Sequence, residues 1–122
     1  MPHGARPQGL PRRHRFAARG SYGPVLASPR KLRGQLAVLH AAAGLPGRSR
    51  LGIALTRRLV ASAVDRNRIR RLVREAFRRH ALKIAGMDCV VTLRAPFARP
   101  QAAALAREVG ALFDQLVART AT

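Results

Sequence analysis

Apolar residues run along this chain in two rhythms. Ile69, Leu72, Val73, Ala76, Phe77 and Ile84 recur at the 3, 4, 7 and 8 spacing of a helix face, which predicts a helix over Ala63–Leu82. Ser62, followed three residues later by Asp65, resembles a capping box at its start, with Asp in place of Glu. A second stripe of Leu105, Val109, Leu112, Phe113, Leu116 and Val117 predicts a final helix after Pro100. Gln35–Ala43, Leu51–Thr56 and Cys89–Arg94 are instead short apolar runs bounded by turn residues, the mark of strands. Because Gly44-Leu45-Pro46-Gly47-Arg48-Ser49 separates the first two, they are expected to pair antiparallel. Ser21 can cap a short helical turn through Val25 and Leu26, with Pro24 in its first turn and Ser28-Pro29 ending it.

The resulting order is α-β-β-(β)-α-β-α, an α+β domain whose amphipathic helices bury their stripes against one small mixed or antiparallel sheet. Residues 1–14 (MPHGARPQGLPRRH) combine Pro, Gly and Arg with almost nothing to bury, and are expected to form a flexible basic arm. The fold then begins near Phe16, so that residues 15–119 make one domain and 120–122 a tail.

Charge changes the picture more than hydropathy does. The 122 residues carry 24 Lys+Arg against 5 Asp+Glu, a net charge of +19. Such self-repulsion is expected only where a polyanion sits against the protein. The cations are nearly all arginine, Lys31 and Lys83 being the lysines, and guanidinium grips phosphate bidentately and stacks on bases. Arginine interrupts every apolar stretch before a membrane span is reached, and the first thirty residues hold no signal-like segment, so a soluble, cytoplasmic protein is expected. Cys89 stands alone, which precludes an internal disulfide and points to a small core residue.

On a wheel centred on Ile69, Asn67, Arg71, Arg74 and Arg78 fall in a band opposite the apolar side. Arg68, Glu75 and Arg79 flank it on one side and Arg70 on the other, while Arg66 lies near the apolar side at the first turn. An ordinary solvated helix face mixes its signs; seven arginines against Asp65 and Glu75 read as a rail for phosphates. Nothing reads as a protein active site. The acids at 65, 75, 88, 108 and 114 are scattered, and His3, His14, His40 and His80 lack metal-ligand spacing. A histidine pair brought together by folding is the one catalytic alternative.

Asp65-Arg66-Asn67-Arg68-Ile69-Arg70-Arg71-Leu72-Val73-Arg74-Glu75-Ala76-Phe77-Arg78 resembles the signature helix of the bacterial ribonuclease P protein component, which carries Arg-Asn-Arg, then Ile-Lys/Arg-Arg, then Arg-Glu/Gln-x-Phe. Arg50-Leu51-Gly52-Ile53-Ala54-Leu55-Thr56-Arg57-Arg58 and Met87-Asp88-Cys89-Val90-Val91-Thr92-Leu93-Arg94 resemble two of that family's strands, and the likeness extends over roughly Phe16–Val117. The resemblance implies a left-handed crossover around the signature helix. It also implies that a catalytic RNA subunit binds through Arg57, Arg58, Arg66, Asn67, Arg68, Arg70, Arg71, Arg74 and Arg78. A cleft containing Phe16, Tyr22, His40 and Arg94 would hold the 5′ leader of precursor tRNA, with Tyr22 where a Phe is usual and His40 where some members carry an aromatic. Mg2+ would accompany the RNA, the protein holding no cofactor and needing no protein partner. A structural RNA-binding protein, such as a ribosomal protein, shares the size and charge, and the signature helix separates the two.

Overall fold

The computed structural model describes residues 10–16 and 22–120. Three helices, α1 (Gly23–Ala27), α2 (Ala63–Arg78) and α3 (Ala102–Thr120), accompany four strands, β1 (Lys31–Arg33), β2 (Ala37–Ala43), β3 (Arg50–Ile53) and β4 (Met87–Leu93). The α+β class and element order are as expected, with β1 the third strand ahead of the long helix. Ser21, residues 1–9 of the expected arm and 121–122 of the tail lie outside the described residues.

The sheet order is β1-β2-β4-β3. This corrects the expected hairpin: β2 and β3 are not neighbours, because β4 lies between them, antiparallel to β2 and parallel to β3. Met87–Val91 are all buried, so β4 needs cover on both faces and both edges, which only a central position provides. Ser49 steers β3 into place. Its N–H donates to Lys83 O at 3.0 Å, its hydroxyl donates to Leu82 O at 2.5 Å, and it accepts from Met87 N at 3.0 Å.

One face of the sheet, with Leu39, Ala41, Leu51, Ile53, Cys89 and Val91, forms the core with Ile69, Val73 and Phe77 of α2 and Leu105, Val109, Phe113 and Leu116 of α3. Phe77 and Phe113 meet edge to face at 6.0 Å. The other face carries α1, which packs on β2 and β4, and Val25, Val38 and Val90 are buried there.

α2 ends sooner than the apolar period suggests. His80 leaves the helix with φ −100° and ψ 147°, and its Nδ1 accepts from Leu82 N at 2.9 Å, starting a separate 3-10 turn over Ala81–Ile84. Leu82 still reaches the core, whereas Ile84 is exposed. The start of the fold also moves. Leu10 and His14, expected in the mobile arm, are buried, and Arg15 bridges Leu51 on the free edge of β3. His14 Nδ1 donates to Ser49 O at 2.8 Å and its ring packs edge-on against Phe77.

Glu108 of α3 fastens the β1–β2 turn, accepting from the backbone N–H of Gln35, Leu36 and Ala37 at 2.9, 2.8 and 2.7 Å. A Cβ on Gly34 would collide with that carboxylate. Glu108→Ala strands three amides and is expected to cost about 2–4 kcal/mol in denaturant unfolding. Gly34→Ala should cost less on the Glu108→Ala background than alone, because the carboxylate that it would strike is gone; equal costs on both backgrounds would contradict this account.

Candidate nucleic-acid interface

Ser62 caps α2 as its position suggests, accepting from Asp65 N at 3.3 Å. The Asp65 carboxylate does not complete the box. It receives Arg99 at 3.1 Å instead. The seven arginines of this region then divide by partner. Arg66 donates from one guanidinium nitrogen to Val60 O and Ala61 O at 3.0 and 2.9 Å, bracing the chain ahead of the helix. Arg78 and Arg79 share Glu75 at 2.5 and 3.0 Å, and the Arg78 hydrogen bond foremost holds the Glu75 carboxyl below its ordinary value. Arg68, Arg71 and Arg74 are exposed and Arg70 half-buried, with Asn67 exposed beside them.

The expected rail is therefore sorted into bracing, paired and presented arginines. Arg57 and Arg58 lie exposed on the turn between β3 and α2. Arg74 is held below its ordinary value, first by partial loss of water and then by Arg70, with Tyr22 opposing and Arg15 adding.

The aromatics of the N-terminal half gather at β3. Phe16 and Tyr22 meet edge to face at 5.2 Å, and the Arg50 guanidinium lies 4.8 Å over the Phe16 ring. Arg50 is fixed by a two-pronged pair with Asp88, at 2.9 and 2.7 Å. The Tyr22 ring rests on Gly52, where a Cβ would drive into it. This gives the Arg-Leu-Gly-Ile strand a physical reason for its glycine: absence of a side chain makes the seat for a ring.

Lys31, His40, Val90 and Gly52 are register partners in one row across the sheet, so His40 stands two strands, about 10 Å, from the Tyr22 seat. Its Nε2 is 2.9 Å from Thr92 Oγ1 and its Nδ1 is buried without a partner. Burial first, then Lys31 and Arg33, lower its pKa. Lys31 Nζ donates to Leu26 O and Ser28 O at 2.8 and 2.6 Å, anchoring the C-terminal end of α1. Arg94 lies at the far end of β4, about 20 Å along the strand from Asp88, and its guanidinium donates to Gly34 O at 2.7 Å. The geometry thus joins Phe16 and Tyr22, sets His40 on the same face and puts Arg94 at its margin.

Arg15 and Arg50 border the aromatic pair and were not singled out by periodicity. Arg15 falls in an unpatterned basic stretch, and Arg50 is legible only as the first residue of its strand motif. The described histidines lie in separate settings: His14 on Ser49 and Phe77, His40 on Thr92, and His80 on Asp114 at 2.6 Å. Among the described residues, no group of three or more His, Cys, Asp or Glu could hold a metal ion. Burial, with a smaller contribution from Asp88, pushes the Cys89 thiol up to about 12, so it packs as an inert apolar residue. No helix among the described residues is long and apolar enough to cross a membrane.

A family model described as Ribonuclease P matches residues 10–117. The ribonuclease P protein component of Azoarcus sp. is 33% identical over 103 residues, covering 84% of this chain and 86% of that protein. That of Nitrosomonas europaea is 42% identical over 67 residues, a match spanning 55% of this chain and a little over half, 56%, of the relative. Among solved structures, the Staphylococcus aureus RNase P protein superposes with a TM-score of 0.69 over 84% of this chain and 94% of its own, at 19% identity, a likeness of fold.

Proposed function

The chain belongs to the ribonuclease P protein component family, and from that premise we propose that it is the protein subunit of a ribonucleoprotein that removes the 5′ leader from precursor tRNA. A ribosomal protein, the alternative that charge and size left open, is set aside by that membership. The observation that carries the reading is the presence of two surfaces on one frame: an α2 face with Arg68, Arg71 and Arg74 exposed, and the Phe16–Tyr22 pair with the Tyr22 ring seated on Gly52 of β3, the strand against which α2 packs. A folded catalytic RNA held by Arg68, Arg70, Arg71 and Arg74, with Arg57, Arg58 and Asn67 beside them, would bring a single-stranded leader against the aromatic seat.

Each surface supplies a different interaction. The α2 face offers guanidinium groups in a 3 and 4 residue pattern, suited to phosphates on a ridge of folded RNA and indifferent to sequence. The seat offers a flat ring on which any base can stack. Mg2+ accompanies the RNA and supplies the hydrolytic chemistry there; the polypeptide contributes counter-charge and grip. Arg66 acts from behind, by holding the carbonyls ahead of α2, and Arg94 and His40 line the outer parts of the same face. The complex works in the cytoplasm and requires no further protein.

Tyr22→Ala tests the seat. Stacking on an unpaired base contributes about 1–3 kcal/mol, so the variant holoenzyme should bind precursor tRNA roughly 5- to 150-fold more weakly and mature tRNA unchanged. Gly52→Ala should produce the same selective loss, because the added methyl evicts the ring, and combining the two should add little. Equal losses on both tRNAs, or none, would remove the leader from this cleft.

A further inference from the structure

Beside the Phe16 ring opens a concave site of about 730 Å³. Its walls are Arg12, Arg13, Arg15, Arg48 and Arg50, and Phe16 is its one aromatic. The volume lies within the range of roughly 300–1,000 Å³ typical of ligand sites. Two chain segments build it, and both are fixed. Residues 10–16 are docked by buried Leu10, by the Arg15–Leu51 bridge and by His14 on the Ser49 carbonyl. Arg48 and Arg50 flank that same Ser49, which is fully buried and tied to Leu82 and Met87.

Of the five guanidinium groups, Arg50 is matched by an acid, Asp88, while Arg12, Arg13, Arg15 and Arg48 are exposed. Converging like charges on a fixed frame are costly alone and are relieved by clustered anionic oxygens. Planar forks around an aromatic ring suit phosphates joined to bases better than carboxylates on a peptide. The site also shares Phe16 with the Tyr22 seat, so a strand stacked on Tyr22 is carried past Phe16 into the arginines.

Building on the leader reading above, we infer that this concavity is a second subsite for single-stranded RNA, taking clustered phosphates of the leader next to the nucleotide stacked on Tyr22. The phosphates have two sources, the internal backbone of a long leader or the polyphosphate at a transcript's 5′ end.

The test uses holoenzyme reconstituted with the natural chain or with Arg13→Ala/Arg48→Ala, both substitutions being at exposed positions. Binding is measured for mature tRNA and for precursors with leaders of about two and about ten nucleotides, each bearing a 5′-hydroxyl or a 5′-triphosphate. The variant should bind the long-leader precursor about tenfold more weakly at ~0.15 M salt, with a log–log salt slope flatter by about 1.4, and should leave mature tRNA and the short 5′-hydroxyl leader unchanged. Loss on hydroxyl-ended long leaders assigns the internal backbone; loss confined to triphosphate-ended precursors assigns the terminus. Equal weakening on mature tRNA, weaker assembly with the catalytic RNA, or no change on any substrate would overturn the subsite. If the natural holoenzyme itself fails to prefer precursor over mature tRNA, the leader reading beneath it falls as well.

Discussion

Alanine at Arg68, Arg70, Arg71 and Arg74 together is expected to weaken binding of the catalytic RNA about 1,000-fold at ~0.15 M salt, since each phosphate neutralised contributes roughly 0.7 log units there. The log–log salt slope should flatten by about 3.6, and the fold should survive. Among the described residues, these four take no part in the side-chain hydrogen bonds and ion pairs of α2, in which Arg66 holds the carbonyls of Val60 and Ala61, Glu75 pairs with Arg78 and Arg79, and Asp65 pairs with Arg99. Arg70 and Arg74 stand one turn apart and repel, so alanine there relieves like charge and adds helix propensity. Thermal unfolding should therefore occur at the same temperature or higher, separating lost affinity from lost structure. Arg66→Ala should behave in the opposite way, with reduced stability and a nearly unchanged slope. If both variants lose affinity in step with stability, the division of the arginines into bracing and presented groups is wrong.

Leader removal is expected only where the RNA is present. Across a magnesium series with end-labelled precursor tRNA, the protein alone should give no specific cut at any concentration. The RNA alone should cut slowly at high magnesium, and the two together should cut efficiently at low magnesium. The physical ground is that the three described histidines occupy separate settings, while guanidinium groups screen repulsion between two large polyanions without supplying a hydroxide. Site-specific cleavage by nuclease-free protein would revive an acid–base pair of histidines and defeat the accessory-subunit reading.

What was legible in the sequence is what local periodicity encodes. The stripe of α3, from Leu105 to Leu116, and the anchors Ile69, Val73 and Phe77 of α2 are buried as their spacing dictates, and Ser62 caps where it should. Pairing between strands was not legible, because the 44–49 segment has turn composition whether or not its flanking strands meet. The deciding feature, β4 buried on both faces, concerns partners 38 to 56 residues away. The end of α2 was misplaced because Ile84 continues the apolar spacing while His80, drawn off by Leu82 and Asp114, breaks the backbone. On the helix the charge pattern marked the basic face, yet it could not tell Arg66 from Arg68: which guanidinium meets a carbonyl depends on the loop at Val60 and Ala61. Tyr22 was placed by likeness, and Gly52 received its role only once the ring was seen to lie on it. The five-arginine concavity was invisible, since its walls come from a stretch that looks featureless and from residues that flank a buried serine.

The docking of residues 10–16 along β3 bears on how the protein survives before it meets RNA. An uncovered strand edge presents free amides and carbonyls to any other strand and templates aggregation. Here one edge of the sheet is β1, three residues long with cations on either side of Leu32, and the other is occupied by the backbone of Arg15 against Leu51. A second chain adding at β1 would have to align Lys31 and Arg33 with its own strand, and one adding at β3 would first have to expel Arg15, Leu10 and His14 from their places. The same short segment whose arginines line the concavity thus shuts the margin of the sheet, and a newly made chain is guarded against sticking to its copies.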